Sequence, residues 1–338
     1  MRLPRGKIPK EILEEFVFKN LGVRREEVIL GPSAGIDGAV INTGDKSLIV
    51  SMDPITGALE KIGWLAVNVN ANDIATFGVK PAFFLSCIML PERSDDRIIK
   101  TVSVQMGEAA KALKIAIIGG HCETTQDLPS PIVVGCAFGF AEKGRFVTAG
   151  GAKPGDSLIL TKTAGIEGTA ILATDRKKQL KKALSEEALQ EAADFYDQIS
   201  VVKDALAVFR TGAVHAMHDP TEGGIAGGMH EMADASRLGF EVYEERIPIR
   251  FETSKICRFF QIDPLQLIAS GSLLVAVESS QVESALGSLQ EAEIPAQTVG
   301  KFNSNPSKRI LMRKNGKAEN MVRTKSDHLW KALKKGDN

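Results

Sequence analysis

Residues 63–81 read GWLAVNVNANDIATFGVKP, and their spacing predicts the helix around which the first half of the chain is built. At 3.6 residues per turn one broad face is polar, and it consists of Asn68, Asn72, Asp73 and Thr76. Gly78 is a suitable left-handed cap, and Pro81 lies just beyond it. Because Asn and Asp are weak helix formers, we interpret this face as a polar site. The alternative is a solvated face, although such faces more often carry Lys, Glu and Gln.

The composition of the 338 residues is that of an ordinary globular protein of about two domains. Hydrophobic residues make up 43% and charged residues 25% of the chain, and 42 basic side chains balance 42 acidic ones. This balance argues against nucleic acid or an anionic membrane surface as a partner. The chain has no apolar run of membrane-spanning length and no signal region at its start, so we expect a cytoplasmic protein. The four cysteines lack close spacing, which favours reduced thiols.

Predicted strands and helices alternate on both sides of the central helix. In the first half they are a helix at 10–20, a glycine-rich turn and strand at 31–44, strands at 46–53 and 82–90, a helix at 94–113, a strand and polar loop at 114–125, and a strand at 130–142. This order indicates an α/β domain of mixed strand direction. The glycine-rich segment 144–162 marks a border before a second α/β unit. We predict domains at 1–150 and 151–305, and a polar, partly disordered tail at 306–338 with a short end helix.

Three aspartates stand at positions from which folding could bring them together. Asp37 lies in the glycine-rich turn, Asp53 at the end of a strand and Asp73 on the polar helix face. Hard divalent cations such as Mg²⁺ take oxygen ligands and commonly bridge substrate phosphates, so three converging carboxylates would suit one. The alternative for each aspartate is that it only caps a turn or a helix.

A double glycine, Gly119 and Gly120, follows the apolar strand IAII. Glycines at this position let backbone amides approach an anion, although a tight turn alone would also explain them. His121 and Glu123 come directly afterwards, in a predicted strand-end loop of the kind that often carries catalytic groups. Ordinary loop polarity is the alternative, and His218 lies too far along the chain for a shared metal site to be assumed.

A further candidate is HDPTEGGIAGGMHE at residues 218–231, which is predicted as a loop leading into a helix. Asp219 and Thr221 can cap that helix, while Gly223 and Gly224 keep its start open. An open helix start suits a phosphate or carboxylate ligand, and the alternative is a glycine-softened start packed against a neighbour. The chain has no Walker motif, no GxGxxG after a first strand and no GxSxG elbow, so a phosphate would bind by another architecture.

One superfamily shows these motifs in the same order, over about residues 30–302: GIDGAV, SMD, NVNANDIATFGVKPAFFLS, IIGGHCETT, AKPGDSLILTKTAGIEGTAIL, HDPTEGGIAGGMHEMA, IDPLQLIASGSLLVAV and VGKF. The chain resembles the AIR synthase-related, PurM-like proteins, and among them the hydrogenase maturation factor HypE most. The resemblance implies a PurM-like two-domain fold with a C-terminal α/β domain and an N-terminal domain that forms a dimeric β-barrel. It also implies a homodimer that binds ATP with Mg²⁺ in a cleft.

The resemblance further implies roles for individual residues. Magnesium and phosphate binding fall to Asp37, Asp53 and Asp73. The other residues of the implied nucleotide site are Lys61, Asn72, Gly119 and Gly120, to which the open helix start adds Thr221, Gly223 and Gly224. The catalytic candidates are His121, Glu123 and Asp219. Such a set fits phosphoryl transfer, which depends mainly on positioning and charge neutralisation.

Several differences from HypE concern the parts peculiar to its cyanide chemistry. HypE ends in Pro-Arg-Ile-Cys, whereas this chain ends in KALKKGDN and has its last cysteine at Cys257. Glu123 stands in place of a HypE lysine, Ser270 in place of a glutamate and Glu222 in place of an arginine. The resemblance therefore implies a retained nucleotide site without the terminal thiol carrier.

Two functions of different classes follow. The first is an ATP-dependent enzyme of the kinase, synthetase or dehydratase type, which transfers phosphate to activate an oxygen of a small-molecule or carbamoyl-type substrate. The second is a non-catalytic nucleotide-binding partner or scaffold that associates with hydrogenase maturation proteins. The retained aspartates favour the first function, and the missing terminal cysteine favours the second.

Overall fold

The computed structural model describes residue 3 and the ranges 6–33 and 35–334, which form two β-sheets with helices packed against them. The strands of the first half are β1 (Val28–Leu30), β2 (Ala39–Asn42), β3 (Lys46–Ile55), β4 (Pro81–Pro91), β5 (Ala116–Thr125) and β6 (Ile132–Glu142). Its helices are α1 (Lys10–Ile12), α2 (Ile62–Thr76) and α3 (Asp96–Leu113), and a π-helical turn at Leu13–Val17 continues α1.

The second half contributes the other sheet and most of the helices. Its strands are β7 (Ser157–Thr161), β8 (Val214–His218), β9 (Gly239–Tyr243), β10 (Leu274–Val277), β11 (Ala296–Asn303), β12 (Arg309–Met312) and β13 (Ala318–Asn320). Its helices are α4 (Ile166–Asp175), α5 (Lys177–Leu180), α6 (Glu186–Ala193), α7 (Val202–Phe209), α8 (Gly224–Ser236), α9 (Phe251–Phe260), α10 (Val282–Glu291) and α11 (His328–Lys334). None of the helices in the described ranges is both long and apolar enough to cross a membrane.

Both sheets are of mixed direction, as the element order predicts. Within the described residues the first sheet has six strands in the order β1-β2-β3-β6-β4-β5, and only its β4–β5 pair is parallel. The second has seven in the order β13-β12-β9-β11-β7-β10-β8, with a parallel β12–β9 pair. The first sheet is open, with β1 and β5 at its edges. One chain therefore does not form the barrel that the resemblance implies.

Helix α2 forms as predicted and contacts elements of both halves of the chain. It packs against α3, against strands β3 and β6, and against α7 of the second half. Gly78, at φ +76°, ends the helix with its N–H donating to Ala75 O at 2.7 Å. Every residue of α2 except Trp64 is buried, and Asn72 is 0% and Asp73 3% exposed. The solvated-face interpretation of this helix is therefore wrong.

Two asparagines of α2 bind the backbone of the segments that surround the helix. Asn70 Oδ1 accepts from Asp53 N at 2.8 Å, and its Nδ2 donates to Asp53 O at 3.2 Å. Asn72 Nδ2 donates to Ile199 O and its Oδ1 accepts from Val201 N, both at 2.8 Å. Asn70 thus holds the end of β3 on the helix, and Asn72 joins the second domain to it. Buried backbone groups need such partners.

The double glycine lies inside a strand, so the polar loop predicted after it is wrong. Strand β5 continues to Thr125 because β4 offers it a row of parallel partners. Gly119 and Gly120 have φ values of +152° and +154°. A Cβ atom on Gly120 would lie 2.1 Å from Ser86 O, so only glycine allows the two backbones to approach this closely.

The described part of the predicted tail is folded onto the second domain. Strands β12 and β13 extend the second sheet, and α11 is the short end helix that the sequence predicts. Arg176 Nη2 donates to Leu333 O at 2.9 Å, which ties the end of α11 to the start of α5. The expected disorder is therefore wrong for residues 306–334, and residues 335–338 lie outside the described ranges.

Candidate functional site

Four aspartates gather where the first sheet meets the second domain. Asp37 precedes β2, Asp53 lies on β3, Asp73 on α2, and Asp219 directly follows β8. Ser51, two residues before Asp53, joins two of them, because its Oγ lies 2.5 Å from Asp37 O and 2.7 Å from Asp73 Oδ2. Carboxyl groups that are far apart in the sequence thus share one cluster.

The Ser51 hydroxyl indicates the protonation state of Asp73. It has one proton and can donate to only one of its two neighbours. Burial raises the pKa of Asp73 well above its ordinary value, and the carboxylates of Asp53, Asp219 and Asp37 raise it further. Burial and these carboxylates favour the neutral form of Asp73, while the hydrogen bond from Ser51 opposes it by lowering the pKa.

His218 is the buried positive group of the cluster. Its Nδ1 lies 2.8 Å from Asp37 Oδ2, and its Nε2 lies 2.9 Å from Glu231 Oε2. Burial opposes the imidazolium, but these two carboxylates outweigh it and raise the pKa of His218 to about 10. As an imidazolium, His218 donates from both ring nitrogens and is a counter-charge that orients Asp37.

Asp219 has no partner for either carboxyl oxygen. Both atoms are buried, and neither accepts nor donates a hydrogen bond among the described residues. Burial and the nearby Asp37 carboxylate raise the pKa of Asp219 well above its ordinary value. One ligand atom from each of Asp37, His218 and Asp219 lies within 4.8 Å of the other two. A buried carboxyl group without a partner is costly, and a hard cation held by Asp219 and Asp37 would satisfy it.

Asp53 forms the more accessible side of the cluster. Asn70 fixes its backbone, as described above, and the residue as a whole is partly exposed. Burial raises the pKa of Asp53 to about 6 against the opposing charge of Lys7, and the Asp37 carboxylate adds to the rise. In their ionised forms the four aspartates of the cluster would repel one another, and this arrangement suits a divalent cation with phosphates attached to it.

The start of α8 is covered by the chain itself. Gly223 N donates to Asp327 Oδ2 at 2.6 Å, so a carboxylate lies where the sequence suggested a phosphate. Burial raises the pKa of Asp327 to about 7. A Cβ atom on Gly224 would lie 2.5 Å from Leu267 O, which shows a helix start packed closely against its neighbour. The predicted open start is wrong, and the nucleotide-binding roles of Thr221, Gly223 and Gly224 stay predictions.

The remaining predicted residues lie away from the aspartates. Gly119, Gly120, His121 and Glu123 lie on the exposed edge strand β5, which β4 and β6 separate from β3. His121 Nε2 lies 3.1 Å from Glu123 Oε2, so the two side chains pair with each other. Lys61 is exposed at the start of α2. Within one chain these residues do not join the cluster, and their roles stay predictions, as does that of Asn72.

Sequence reasoning missed four residues that shape the cluster. They are Lys7, Ser51, His218 and Glu231. For His218 a signal was present, since it directly precedes Asp219 at the end of a strand. For Lys7 none was available, because its segment is short, basic and without periodicity.

Comparisons with known proteins give two family matches along the chain. The family described as "AIR synthase related protein, N-terminal domain" matches residues 35–141, and "AIR synthase related protein, C-terminal domain" matches residues 153–312. A putative hydrogenase expression/formation protein of Methanocaldococcus jannaschii is 28% identical over 293 residues, covering 85% of this chain and 84% of that protein. The carbamoyl dehydratase HypE of Escherichia coli is 29% identical over 251 residues, covering 70% of this chain and 68% of that protein.

Solved structures share the fold at low sequence identity. The HypE–HypF complex gives a TM-score of 0.76 at 22% identity, covering 93% of this chain and 99% of that one. HypE in complex with ATP gives 0.71 at 19% identity and covers 98% of each chain. AaThiL complexed with AMPPCP and TMP gives 0.71 at 18% identity, covering 96% of this chain and 99% of that one. Two of these relatives thus hold ATP or its analogue AMPPCP.

Proposed function

Because this chain belongs to the AIR synthase related family, we propose that it binds ATP and Mg²⁺ at its aspartate cluster and transfers phosphate to a small molecule. The observation that carries this proposal is the buried carboxyl group of Asp219, whose two oxygens lack partners beside Asp37. Burial of such a group without a partner is costly, and a bound ligand would compensate for it. The ATP and AMPPCP complexes of the similar structures support a nucleotide as that ligand.

When bound, Mg²⁺ would supply positive charge that offsets the charge of the phosphates. Asp219 and Asp37 would hold the ion, with Asp53 and Asp73 next to them. The imidazolium of His218 would orient the Asp37 carboxyl group through their 2.8 Å hydrogen bond. Since burial favours the neutral forms of Asp73 and Asp219, binding of the cation would release protons from these two groups.

The proposed enzyme is of the kinase, synthetase or dehydratase type, and its acceptor is an oxygen of a small-molecule or carbamoyl-type substrate.

One observation favours the second candidate, a nucleotide-binding partner in hydrogenase maturation that has no turnover of its own. The last cysteine of the chain, Cys257, is only 2% exposed, and burial raises the pKa of its thiol to about 12. It therefore cannot replace a free terminal thiol carrier. Steady release of ADP in the presence of an acceptor would show that the protein is an enzyme and not a partner without turnover.

We also propose a homodimer. The outer face of the first sheet is apolar and uncovered in one chain, with Met52 63% and Phe140 45% exposed. Edge strand β5 is exposed on both of its faces except at Thr125. A long unprotected edge strand presents unpaired backbone groups with which another chain can pair. The pairing of first sheets that the resemblance implies would cover this surface.

The substitution Asp219→Asn tests the nucleotide site. We expect it to weaken Mg²⁺-dependent binding of a non-hydrolysable ATP analogue at least tenfold in calorimetry, because a carboxylate ligand is lost. The melting temperature should stay the same or rise, because a buried group that resists ionisation is replaced by a neutral one. Asp127→Asn in an exposed turn is the control. The proposal fails if the wild type binds no analogue or if Asp219→Asn binds it equally well.

A further inference from the structure

Lys7 lies at the mouth of the aspartate cluster. Its Nζ is 3.5 Å from Glu231 Oε1, and its backbone N donates to Glu222 Oε2 at 2.7 Å. The side chain is 52% exposed, in contrast to the fully buried His218 of the same cluster. Lys7 is therefore a positive group that a ligand from solvent can reach.

The surroundings of Lys7 are strongly acidic. The carboxylates that raise the pKa of its ammonium group are, in order, those of Glu231, Asp53, Asp37 and Glu222, while burial opposes them. An ammonium group has three donors, and the 3.5 Å ion pair with Glu231 leaves donors available for a ligand. His218 has no such capacity, since both of its ring nitrogens already face carboxylates.

The N-terminal segment is held by residues of the second domain. A Cβ atom on Gly6 would lie 2.5 Å from Glu222 Oε2 and 3.1 Å from Trp330 Nε1, so this glycine packs closely between the two side chains. Gly6 has φ +97°, a conformation that other residues rarely adopt. The ammonium group of Lys7 lies beside Glu231, which His218 connects to Asp37 through contacts of 2.9 Å and 2.8 Å. Lys7 is thus anchored by residues of the second half of the chain, and its charge lies at the edge of the cluster.

We propose that Lys7 binds the terminal phosphate of ATP at this site. The inference rests on the proposed function and adds a residue to it. A triphosphate that enters a cluster of carboxylates needs more positive charge than one Mg²⁺ carries. Lys7 is anchored beside that cluster and is open to solvent. Its ammonium group has N–H donors that the ion pair with Glu231 does not use. The competing role is that of a counter-ion that only balances the charge of the carboxylates and does not contact the nucleotide.

Three nucleotides and three variants separate these two roles in calorimetry with Mg²⁺. Lys7→Gln should weaken binding of a non-hydrolysable ATP analogue tenfold or more, because a charged hydrogen bond is lost. It should leave AMP affinity unchanged and have an intermediate effect on ADP. Lys7→Arg, which keeps the charge, should restore most of the affinity. The control is Lys10→Gln, since Lys10 lies on the same segment and pairs with the neighbouring Glu14 at 3.6 Å.

The outcomes are distinguishable. If the wild type binds the analogue and Lys7→Gln binds it as tightly or more tightly, Lys7 is a counter-ion, and this inference alone is overturned. If the wild type binds no analogue, the proposed function fails together with the inference. An equal loss of affinity for AMP and for the ATP analogue would also contradict a contact to the terminal phosphate. Melting temperatures of the variants should match the wild type, because Lys7 is half-exposed on a terminal segment.

Discussion

At the start of α4, the carboxyl group of Glu167 is buried without a partner for one of its oxygens. Glu167 is 4% exposed, and its Oε2 has no hydrogen bond among the described residues. Burial raises the pKa of Glu167 to about 7, the nearby Ser270 hydroxyl opposes this rise, and Asp327 and Glu222 add to it. The group therefore stays protonated in the folded protein up to nearly neutral pH.

Glu167 should make the protein less stable as pH rises. The pKa is about 7 in the folded state and 4.5 in the reference state, so the unfolded chain loses this proton first. The free energy of unfolding should fall from about pH 4.5 to pH 7 and then stay level, a loss of about 3 kcal/mol from this group. Glu167→Gln should remove that part of the slope and stabilise the protein at pH 8 much more than at pH 5. Urea unfolding at the two pH values measures the difference.

The matched control is Glu187→Gln, which changes a glutamate in the first turn of α6 that is exposed. This variant should keep the pH dependence of the wild type. Equal effects of Glu167→Gln at pH 5 and pH 8 would contradict a neutral Glu167 in the folded state.

Residue types and spacing predicted the acidic cluster better than they predicted the partners of each side chain. Polar residues on the predicted helix face correctly indicated a buried polar region, and Asp73 lies in the cluster. Asn72 on the same face instead binds the backbone at Ile199 and Val201. Periodicity tells which side chains share a face, but the backbone groups that meet them come from segments more than a hundred residues away.

At the scale of elements, the sequence predicted α2, α3 and most strands of the first sheet within a few residues. The error at β5 has a tertiary cause. GGHCETT has the glycine and polar content of a loop, yet the segment is a strand because β4 supplies parallel partners along its whole length. Such pairing cannot be seen in the local pattern. The fold of the second domain and its PurM-like character came from the family resemblance and not from periodicity.

Two glycine-to-alanine substitutions test the account of β5. Gly120→Ala places a Cβ atom 2.1 Å from Ser86 O at φ +154°, so the β4–β5 pair must shift. We expect a loss of roughly 2–4 kcal/mol in the free energy of unfolding. Gly107→Ala on α3 meets no atom within 4 Å and should stabilise the helix by about 0.5–1 kcal/mol. Urea denaturation compares both variants with the wild type, and an unchanged Gly120→Ala variant would contradict the close approach.

At the scale of the whole molecule, the first sheet has one face covered and one face open. Helices α2 and α3 and the second domain cover the inner face, where Ile49, Phe84 and Ala137 are fully buried. On the outer face Met52 lies opposite Cys136, which in turn lies opposite Leu85, so an apolar row crosses three strands. A surface of this kind on a folded protein marks an interaction site. Its position next to β5 is what makes a second copy the natural partner.

The substitution Met52→Glu should separate the proposed homodimer into folded monomers. Met52 is 63% exposed on the outer face of the first sheet, so a glutamate there is tolerated in one chain but would be buried between two. Light scattering after size exclusion should give twice the mass of one chain for the wild type and the mass of one chain for the variant. The variant should keep a cooperative melting transition. Val104→Glu is the control, because Val104 is 50% exposed on α3, on the opposite side of the sheet. A monomeric wild type at micromolar concentration, or a Met52→Glu variant that stays dimeric, would contradict pairing through this face.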